Sequence, residues 1–168
     1  MADMRDFDEW YADAYPRLVA SLALIGHDRD LARDGAAEAC ARALERWDRV
    51  RTMPSPDGWA YRVGVNVLHR LYRRAAIERR LLSRIRPESS IDPTELDPSL
   101  WDAVRALPDR QREAIALRYV LDLEQHEIAE VMGIRPGTVA STLHAARAQL
   151  ASVLVIVDPD DDELSEVE

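Results

Sequence analysis

The most informative stretch of this chain, residues 124–150, reads EQHEIAEVMGIRPGTVASTLHAARAQL. It predicts a short helix, a tight turn at Gly133 and a second helix that begins at Pro136. Glycine accepts the positive φ of such turns, and proline suits the first position of a helix. Apolar residues recur along the second helix as one buried stripe: Val139, Leu143, Ala146 and Leu150. Two short helices joined in this way are the layout of a DNA-binding helix-turn-helix.

The other face of the second helix is available for DNA. The residues that we expect to reach DNA lie off the buried stripe: Arg135, Thr138, Ser141 and Thr142. His144 and Arg147 are expected either to contact phosphate or to remain in solvent. Both helices are expected to be weakly capped, because Glu124 and Arg135 stand where Ser or Thr is usual and an absent cap costs about 1 kcal/mol.

The composition indicates an all-α protein of one or two small domains. Apolar residues are well spread over the 168 positions, only 6 residues are glycine, and alternating β-branched runs are rare. The single cysteine, Cys40, excludes an internal disulfide and any multi-cysteine zinc site. The sequence has no glycine-rich phosphate loop, metal-ligand spacing or convincing catalytic pair, so we expect neither metal, cofactor nor enzymatic activity.

The same sequence predicts a soluble cytoplasmic protein that does not act at a membrane. Its N-terminus is acidic and lacks the apolar core of a signal peptide. No apolar run approaches the ~20 residues needed to span a bilayer.

Charge is distributed unevenly along the chain. The formal net charge is −9, yet residues 61–86 hold eight arginines and one acidic residue. Residues 87–99 hold four acids and no base, and residues 158–168 hold seven acids. One basic helix in an acidic protein favours nucleic-acid binding by that helix and docking of the remainder on a basic partner.

Periodicity and prolines divide the chain into two helical domains joined by an acidic, proline-containing linker. Predicted helices cover residues 6–25, 29–47, 56–85, 98–106, 108–120, 124–132 and 136–152, with a loop at 48–57. The predicted division is a first domain at 1–86, a linker at 87–99, a helix-turn-helix domain at 100–152 and an acidic tail at 153–168. Residues 158–168 are expected to be disordered.

Two motif blocks stand in a fixed order along the chain. The first contains Tyr15-Pro16-Arg17-Leu18, Ala32-Arg33-Asp34, Glu38, Trp59, Arg62, Asn66 and Arg73-Arg74. The second contains Leu107-Pro108-Asp109-Arg110-Gln111-Arg112-Glu113-Ala114, Leu117-Arg118-Tyr119, Glu127-Ile128-Ala129-Glu130 and Gly137-Thr138-Val139. In this order and spacing the chain resembles an extracytoplasmic-function (ECF) sigma factor of the sigma-70 class, over roughly residues 6–152. The first block is similar to region 2 and the second to region 4.

The resemblance implies a subunit that binds promoter DNA and the clamp and flap of core RNA polymerase. Region 2 of the family holds the −10 element, and the matching residues here are Trp59, Arg62, Asn66, Arg70, Arg73 and Arg74. Region 4 binds the −35 element. The resemblance also places Asp34 and Glu38 on the polymerase clamp. Many relatives are held inactive by an anti-sigma factor, so such a partner is possible here.

The physics of promoter opening fits this resemblance. Arginines on the basic helix would neutralise phosphates, and each neutralised phosphate steepens the salt dependence of binding. The aromatic rings of Trp59, Tyr61 and Tyr72 could stack on unpaired bases at ~1–3 kcal/mol per base. Trp59 and Tyr61 could instead belong to the core, and the arginines could form a solvated face.

Two other hypotheses stay open at this point. An ordinary helix-turn-helix regulator would bind duplex DNA without polymerase, but it has no need of a basic, aromatic-bearing helix at 56–85. A divergent sigma-like protein would act through protein contacts alone. That hypothesis is motivated by the acidic tail and by Ala140, Thr142 and Ala145, which stand where relatives often carry Lys or Arg.

Overall fold

A computed structural model describes residues 4–82 and 98–154. Its elements are α1 (Met4–Gly26), α2 (Arg29–Glu45), α3 (Trp47–Val50), α4 (Pro56–Leu82), α5 (Pro98–Arg105), α6 (Asp109–Ile115), a π turn (Ala116–Val120), α7 (Gln125–Met132) and α8 (Pro136–Leu154). These two ranges contain no β-strand, which confirms the all-α prediction. Helices α1 to α4 form the N-terminal domain, and α5 to α8 form the helix-turn-helix domain.

The N-terminal domain is built by close packing of α1, α2 and α4. Two glycines permit this approach. A Cβ added at Gly64 would lie 2.7 Å from Leu22 Cδ1, and one added at Gly35 would lie 3.3 Å from the Gly64 carbonyl oxygen. Glycine inside a helix normally costs about 1 kcal/mol against alanine. The close crossing of α2 and α4 explains why Gly35 and Gly64 are nevertheless found inside these helices.

An aromatic cluster closes α1 onto α3. The ring centroid of Trp47 lies 5.2 Å from that of Phe7 and 5.1 Å from that of Trp10. Aromatic pairs at such distances contribute about 0.5–1.5 kcal/mol beyond the burial of their area. The cluster therefore anchors the segment that leads into α4 at Pro56.

The turn between α5 and α6 is held by a buried arginine. Arg112 donates to the carbonyl oxygens of Arg105 and Leu107, both at 3.0 Å, and to Asp109 Oδ1 at 2.6 Å. The carbonyls at the end of α5 therefore gain a charged donor in place of water. This arginine belongs to the motif at residues 107–114, so its part in that motif is structural.

The helix-turn-helix has the geometry that the sequence predicted. Gly133 ends α7 with φ 65°, and α8 begins at Pro136. Gln125 at the start of α7 donates from Nε2 to the Pro136 carbonyl oxygen at 2.8 Å, which ties the two helices together. Helix α7 is better capped than expected, because the N–H of its N-cap residue Glu124 donates to Glu127 Oε2 at 2.7 Å, as in a capping box.

Some predicted boundaries were wrong. The second helix ends at Glu45 rather than at 47, and Trp47–Val50 form a separate short helix that extends into the loop expected at 48–57. The expected continuous helix at 108–120 changes into a π turn at Ala116. This turn lets Leu121 and Leu123 point into the core, where both are buried. Residues 83–85 of the third predicted helix, residues 87–97 of the predicted linker and residues 155–168 of the predicted tail lie outside the described residues. The remaining positions of the predicted linker, 98–99, belong to α5, and those of the predicted tail, 153–154, belong to α8.

The apolar core continues from one domain into the other. One cluster of buried side chains includes Leu18, Leu22 and Tyr61 from the N-terminal domain and Leu107, Ile115 and Leu117 from the helix-turn-helix domain. Helix α1 packs against α5, α6 and the π turn, while α4 packs against α7. The two domains therefore lie directly against each other in this chain.

Candidate nucleic-acid interface

Helix α4 presents a polar, basic stripe to solvent. Arg62, Asn66 and Arg70 follow one another at intervals of four residues, and Arg73 and Arg74 continue the row; all five side chains are exposed. The other face of the helix is buried, with Ala60, Gly64 and Leu68 towards the core. The structure therefore brings five of the six predicted −10 residues together on one accessible surface.

The two aromatic residues at the start of α4 differ in position. Trp59 is half-buried and packs beside both apolar clusters, so part of its ring remains accessible. Tyr61 is only 1% exposed and lies in the shared core. The suggestion that Tyr61 stacks on a base is therefore wrong, because a ring buried to this degree cannot reach a nucleotide.

A hydrogen-bonded network fixes the first turn of α4 just before Trp59. Asp57 Oδ1 accepts from Trp10 Nε1 at 2.6 Å, and Asp57 Oδ2 accepts from Arg17 Nη2 at 2.9 Å. The side chain of Asp57 is 16% exposed, so these charge-assisted bonds are partly shielded from solvent. Sequence reasoning missed Asp57, since no spacing rule joins it to α1 across 40 residues.

The residues predicted to contact polymerase lie on α2. Asp34 is exposed, and Glu38 lies one turn further on. Glu38 accepts from Arg70 on α4 and from Arg42 on its own helix. The hydrogen bond from Arg70, together with that from Arg42, lowers the pKa of Glu38 despite partial desolvation. Glu38, which is predicted to contact the clamp, is therefore bound to Arg70, which belongs to the basic stripe.

On α8 most of the predicted DNA-contacting residues are accessible. Arg135, Thr138 and Ser141 are exposed, and Thr142 is half-buried. The hydroxyls of Ser141 and Thr142 donate to the Thr138 carbonyl oxygen at 3.0 Å and 2.7 Å. Each hydroxyl oxygen keeps lone pairs that can accept from another donor.

Arg147 lies apart from that group. Nine residues at about 100° each place it ~180° around α8 from Thr138. Its Nη1 donates at 3.3 Å to the hydroxyl of Tyr119, an aromatic residue of the π turn that is 57% exposed. The structure therefore does not bring Arg147 together with the other four predicted residues of this helix.

No group of three His, Cys, Asp or Glu side chains converges as a metal site in residues 4–82 and 98–154. Cys40 is buried, and burial raises the pKa of its thiol to about 11. Over the same two ranges, the helices are all too short or too polar to cross a membrane.

Comparison with known proteins identifies both domains. Family models of Sigma-70 region 2 and of Sigma-70 region 4 match residues 10–77 and residues 98–150. An RNA polymerase sigma-E factor of Streptomyces coelicolor is 30% identical over 164 residues, which cover 95% of this chain and 92% of that protein. The ECF RNA polymerase sigma factor SigW of Bacillus subtilis is 26% identical over 140 residues, covering 73% of this chain and 75% of SigW.

A solved structure shows the same fold. The sigma factor RpoE in complex with the anti-sigma factor NepR, from Bartonella quintana, aligns with a TM-score of 0.73 at 24% identity and covers 90% of this chain and 98% of RpoE. A helix-turn-helix alone would fit many regulators, but the matches fall on both domains in order and extend over nearly the whole chain. The chain belongs to the extracytoplasmic-function group of the sigma-70 family and is an RNA polymerase sigma factor, which recognises promoters and starts transcription.

Proposed function

We propose that α4 binds the −10 element as a melted strand, that α8 reads the −35 element, and that α2 docks on the clamp of core polymerase. The observation that carries this assignment is the basic stripe of α4, which is exposed along its length and begins beside a half-buried tryptophan. The division of the chain follows the same assignment, with a region 2 domain at 1–86, a linker at 87–99, a region 4 domain at 100–152 and a tail at 153–168.

Three features of α4 suit the binding of single-stranded DNA. Arg62, Arg70, Arg73 and Arg74 supply positive charge on one exposed stripe, which can neutralise the phosphates of a strand. Trp59 stands at one end with part of its ring accessible, and a base that leaves the duplex can stack there. Asn66 carries both a donor and an acceptor between the arginines, so it can bind a base edge.

Helix α8 carries the features of a recognition helix. Arg135 and Thr138 are exposed near its N-terminus, where helix-turn-helix proteins contact base edges. The helix offers few cations, since Ala140 and Ala145 occupy exposed positions in its middle. We therefore expect α8 to contribute sequence discrimination and modest electrostatic attraction, while α4 supplies most of the salt-dependent affinity.

Asp34 and Glu38 are the carboxylates of α2 that would meet a basic clamp surface, where clamp cations would compete with Arg42 and Arg70 for Glu38. Flap contacts would come from the region 4 domain. A sigma factor of this type acts where RNA polymerase is, and we propose that compartment, the cytoplasm, as its location. The RpoE structure contains an anti-sigma factor, so a partner of that kind is proposed for this chain as well.

Run-off transcription with purified core polymerase tests the assignment. The wild-type chain should direct specific initiation, and Asn66→Ala should reduce it on a duplex promoter. If Asn66 reads a base, Asn66→Ala should also reduce initiation on a template that is already melted at −10. On a template that lacks the −10 sequence, the variant and the wild type should initiate equally. Arg49→Ala, an exposed change on α3 outside the proposed DNA-binding helices, is the control. Specific gel shifts on duplex DNA without polymerase, together with no initiation, would support a simple regulator instead.

A further inference from the structure

We infer that Asp57 is a positioning residue of the proposed −10 site. Its carboxylate anchors the first turn of α4 to α1, and this anchor holds the Trp59 ring ready to stack on an unpaired base before DNA arrives. The role rests on the proposed function of α4 and adds to it a residue that acts through Trp59 rather than by touching DNA.

Both carboxylate oxygens of Asp57 accept from donors on α1. Trp10 Nε1 donates to Oδ1 at 2.6 Å, and Arg17 Nη2 donates to Oδ2 at 2.9 Å. The two donors lie about two helical turns apart on α1, so they hold the carboxylate from two directions. Hydrogen bonds to an ionised group are roughly twice as strong as neutral ones, and here they are largely shielded from water.

This anchor lies entirely within the N-terminal domain. Arg17 also donates from Nη1 to the Leu121 carbonyl oxygen at 2.9 Å, but its contact with Asp57 does not need that second partner. Arg17 forms a further ion pair with Asp13, an exposed carboxylate on the same helix. Asp13 reaches only α1, so it shares the arginine of the anchor without holding α4.

The turn that Asp57 anchors has to be built on glycine. Ser55 precedes the helix, and its Oγ accepts from the Gly58 N–H at 3.2 Å. A Cβ added at Gly58 would lie 2.9 Å from Ser55 Oγ and 2.9 Å from Val131 Cγ2 on α7. Glycine loses more conformational freedom on folding than any other residue. The bonds of Asp57, one residue before Gly58, offset that loss where the chain leads into Trp59.

Trp59 packs against partners that Asp57 also holds. Its ring lies beside the aromatic cluster that contains Phe7 and Trp47, and Trp10 packs against the same cluster. Because Asp57 fixes the indole of Trp10, it fixes part of the surface on which the Trp59 ring lies as well as the turn that carries Trp59. The rest of the ring is accessible, so its orientation is set before a base reaches it.

An orientation that is set in advance strengthens binding without adding a contact. Ordering one mobile side chain during association weakens binding by about two- to tenfold. A ring that neighbouring packing and hydrogen bonds already hold avoids this loss. The negative charge of Asp57 would by itself oppose phosphate binding, but Arg17 compensates it.

A double-mutant cycle in the holoenzyme tests the positioning role. Asp57→Ala should weaken binding to a forked template with an unpaired −10 strand by about two- to tenfold, measured by fluorescence anisotropy. In a Trp59→Ala background the same change should have no further effect, because no ring is left to position. Asp13→Ala, which removes the exposed partner of the same arginine, is the matched control and should bind like the wild type.

The fluorescence of 2-aminopurine separates positioning from stability of the fold. This base is placed in the −10 strand where the wild-type holoenzyme quenches it most, and quenching is measured with all the DNA bound. Asp57→Ala should quench it less. Trp10→Phe keeps an aromatic ring but removes the Nε1 donor, so it should also quench less, and it keeps the test decisive if Asp57→Ala does not fold. Both variants should bind core polymerase like the wild type.

The results distinguish this inference from the proposed function. Equal losses from Asp57→Ala with and without Trp59, or full quenching by Trp10→Phe, would overturn the positioning role while base stacking by Trp59 stands. Unchanged binding and quenching by Trp59→Ala alone would contradict base stacking and the positioning role together.

Discussion

The guanidinium of Arg70 binds the carboxylate of Glu38, with Nη2 lying 2.9 Å from Oε1 and 2.8 Å from Oε2. The two residues belong to different helices and to different proposed surfaces, one for melted DNA and one for polymerase. A change at either residue therefore reaches the other surface. The pair is partly exposed, so its contribution to folding stability is small, about 0–1 kcal/mol.

Glu38→Gln distinguishes the proposed polymerase contact of this carboxylate from its contribution to folding stability through Arg70. It removes the negative charge proposed to meet the clamp, and we expect core polymerase binding to weaken about tenfold, or 1.4 kcal/mol, in a pull-down titration. The melting temperature should hardly change, because the pair is exposed. Glu45→Gln, an exposed change on the same helix, is the control. Unchanged core binding by Glu38→Gln would remove this residue from the clamp surface.

The arginines of α4 should set the salt dependence of −10 binding. Replacing both Arg73 and Arg74 by alanine removes two proposed phosphate contacts, so the slope of log affinity against log salt should become shallower by about 1.4 for a single strand. Fluorescence anisotropy of holoenzyme on a forked −10 template measures this slope. Arg49→Ala, an exposed change on α3, should leave the slope unaltered. Equal slopes for the two variants would show that the stripe is only a solvated face.

Substitution at two residues with positive φ should affect the melting temperature differently. Gly133 has φ 65° and no atom within 4 Å of an added Cβ, so Gly133→Ala costs only the backbone strain of about 1–2 kcal/mol. Asp122 has φ 55° with a side chain present, so Asp122→Gly should relieve strain and be neutral or stabilising. Thermal unfolding should show a decrease of about 2–8 °C for the first variant and no decrease for the second.

The glycines inside helices form a second matched pair. Gly64→Ala would force a methyl group against Leu22, and overpacking of a core typically costs about 1–3 kcal/mol. Gly137 in α8 has open space around it, so Gly137→Ala should stabilise by up to about 1 kcal/mol through helix propensity. Urea unfolding of both variants shows whether the free energy of unfolding falls for Gly64→Ala and rises for Gly137→Ala. A stabilised Gly64→Ala would mean that α1 and α4 can move apart at low cost.

Glu113 should make stability depend on pH. Burial raises its pKa above the usual value, so the folded chain holds this proton more tightly than the unfolded chain does. The stabilising proton is fully present below the unfolded pKa of about 4.5 and is lost as pH rises through the higher folded pKa. Glu113→Gln is neutral throughout, so its melting temperature should exceed that of the wild type at pH 8, and the difference should shrink towards pH 5.

Differential scanning fluorimetry of Glu113→Gln and the wild type in matched buffers measures that difference. Other groups that titrate in this range, including His27, are common to both proteins and cancel. Asp102→Asn changes an exposed carboxylate on α5 and serves as the control. A difference that stays constant with pH would mean that the Glu113 carboxyl is not desolvated in the folded chain.

Much of the local structure could be predicted from single residues and short spacings. Asp28 caps α2, Gly133 ends α7 and Pro136 starts α8, because each effect acts within a few residues of the chain. The basic stripe on α4 follows equally from helical periodicity, which places Arg62, Asn66 and Arg70 on one face. The capping box of α7 was missed because Glu124, rather than a Ser or Thr, occupies its N-cap, while Glu127 at the third helical position accepts from the Glu124 N–H.

The order of the helices, the apolar faces that they bury and the family to which the chain belongs were fixed by residue pattern along the sequence. Pairings between distant residues were decided by three-dimensional packing: Arg17 with Leu121, Arg70 with Glu38, and Gly58 with Val131. Periodicity gives the direction of a side chain around its own helix axis, but it carries no information on which other helix lies there. Which helices pack together is decided by the close packing of their complete apolar surfaces, so the position of each helix depends on all the others.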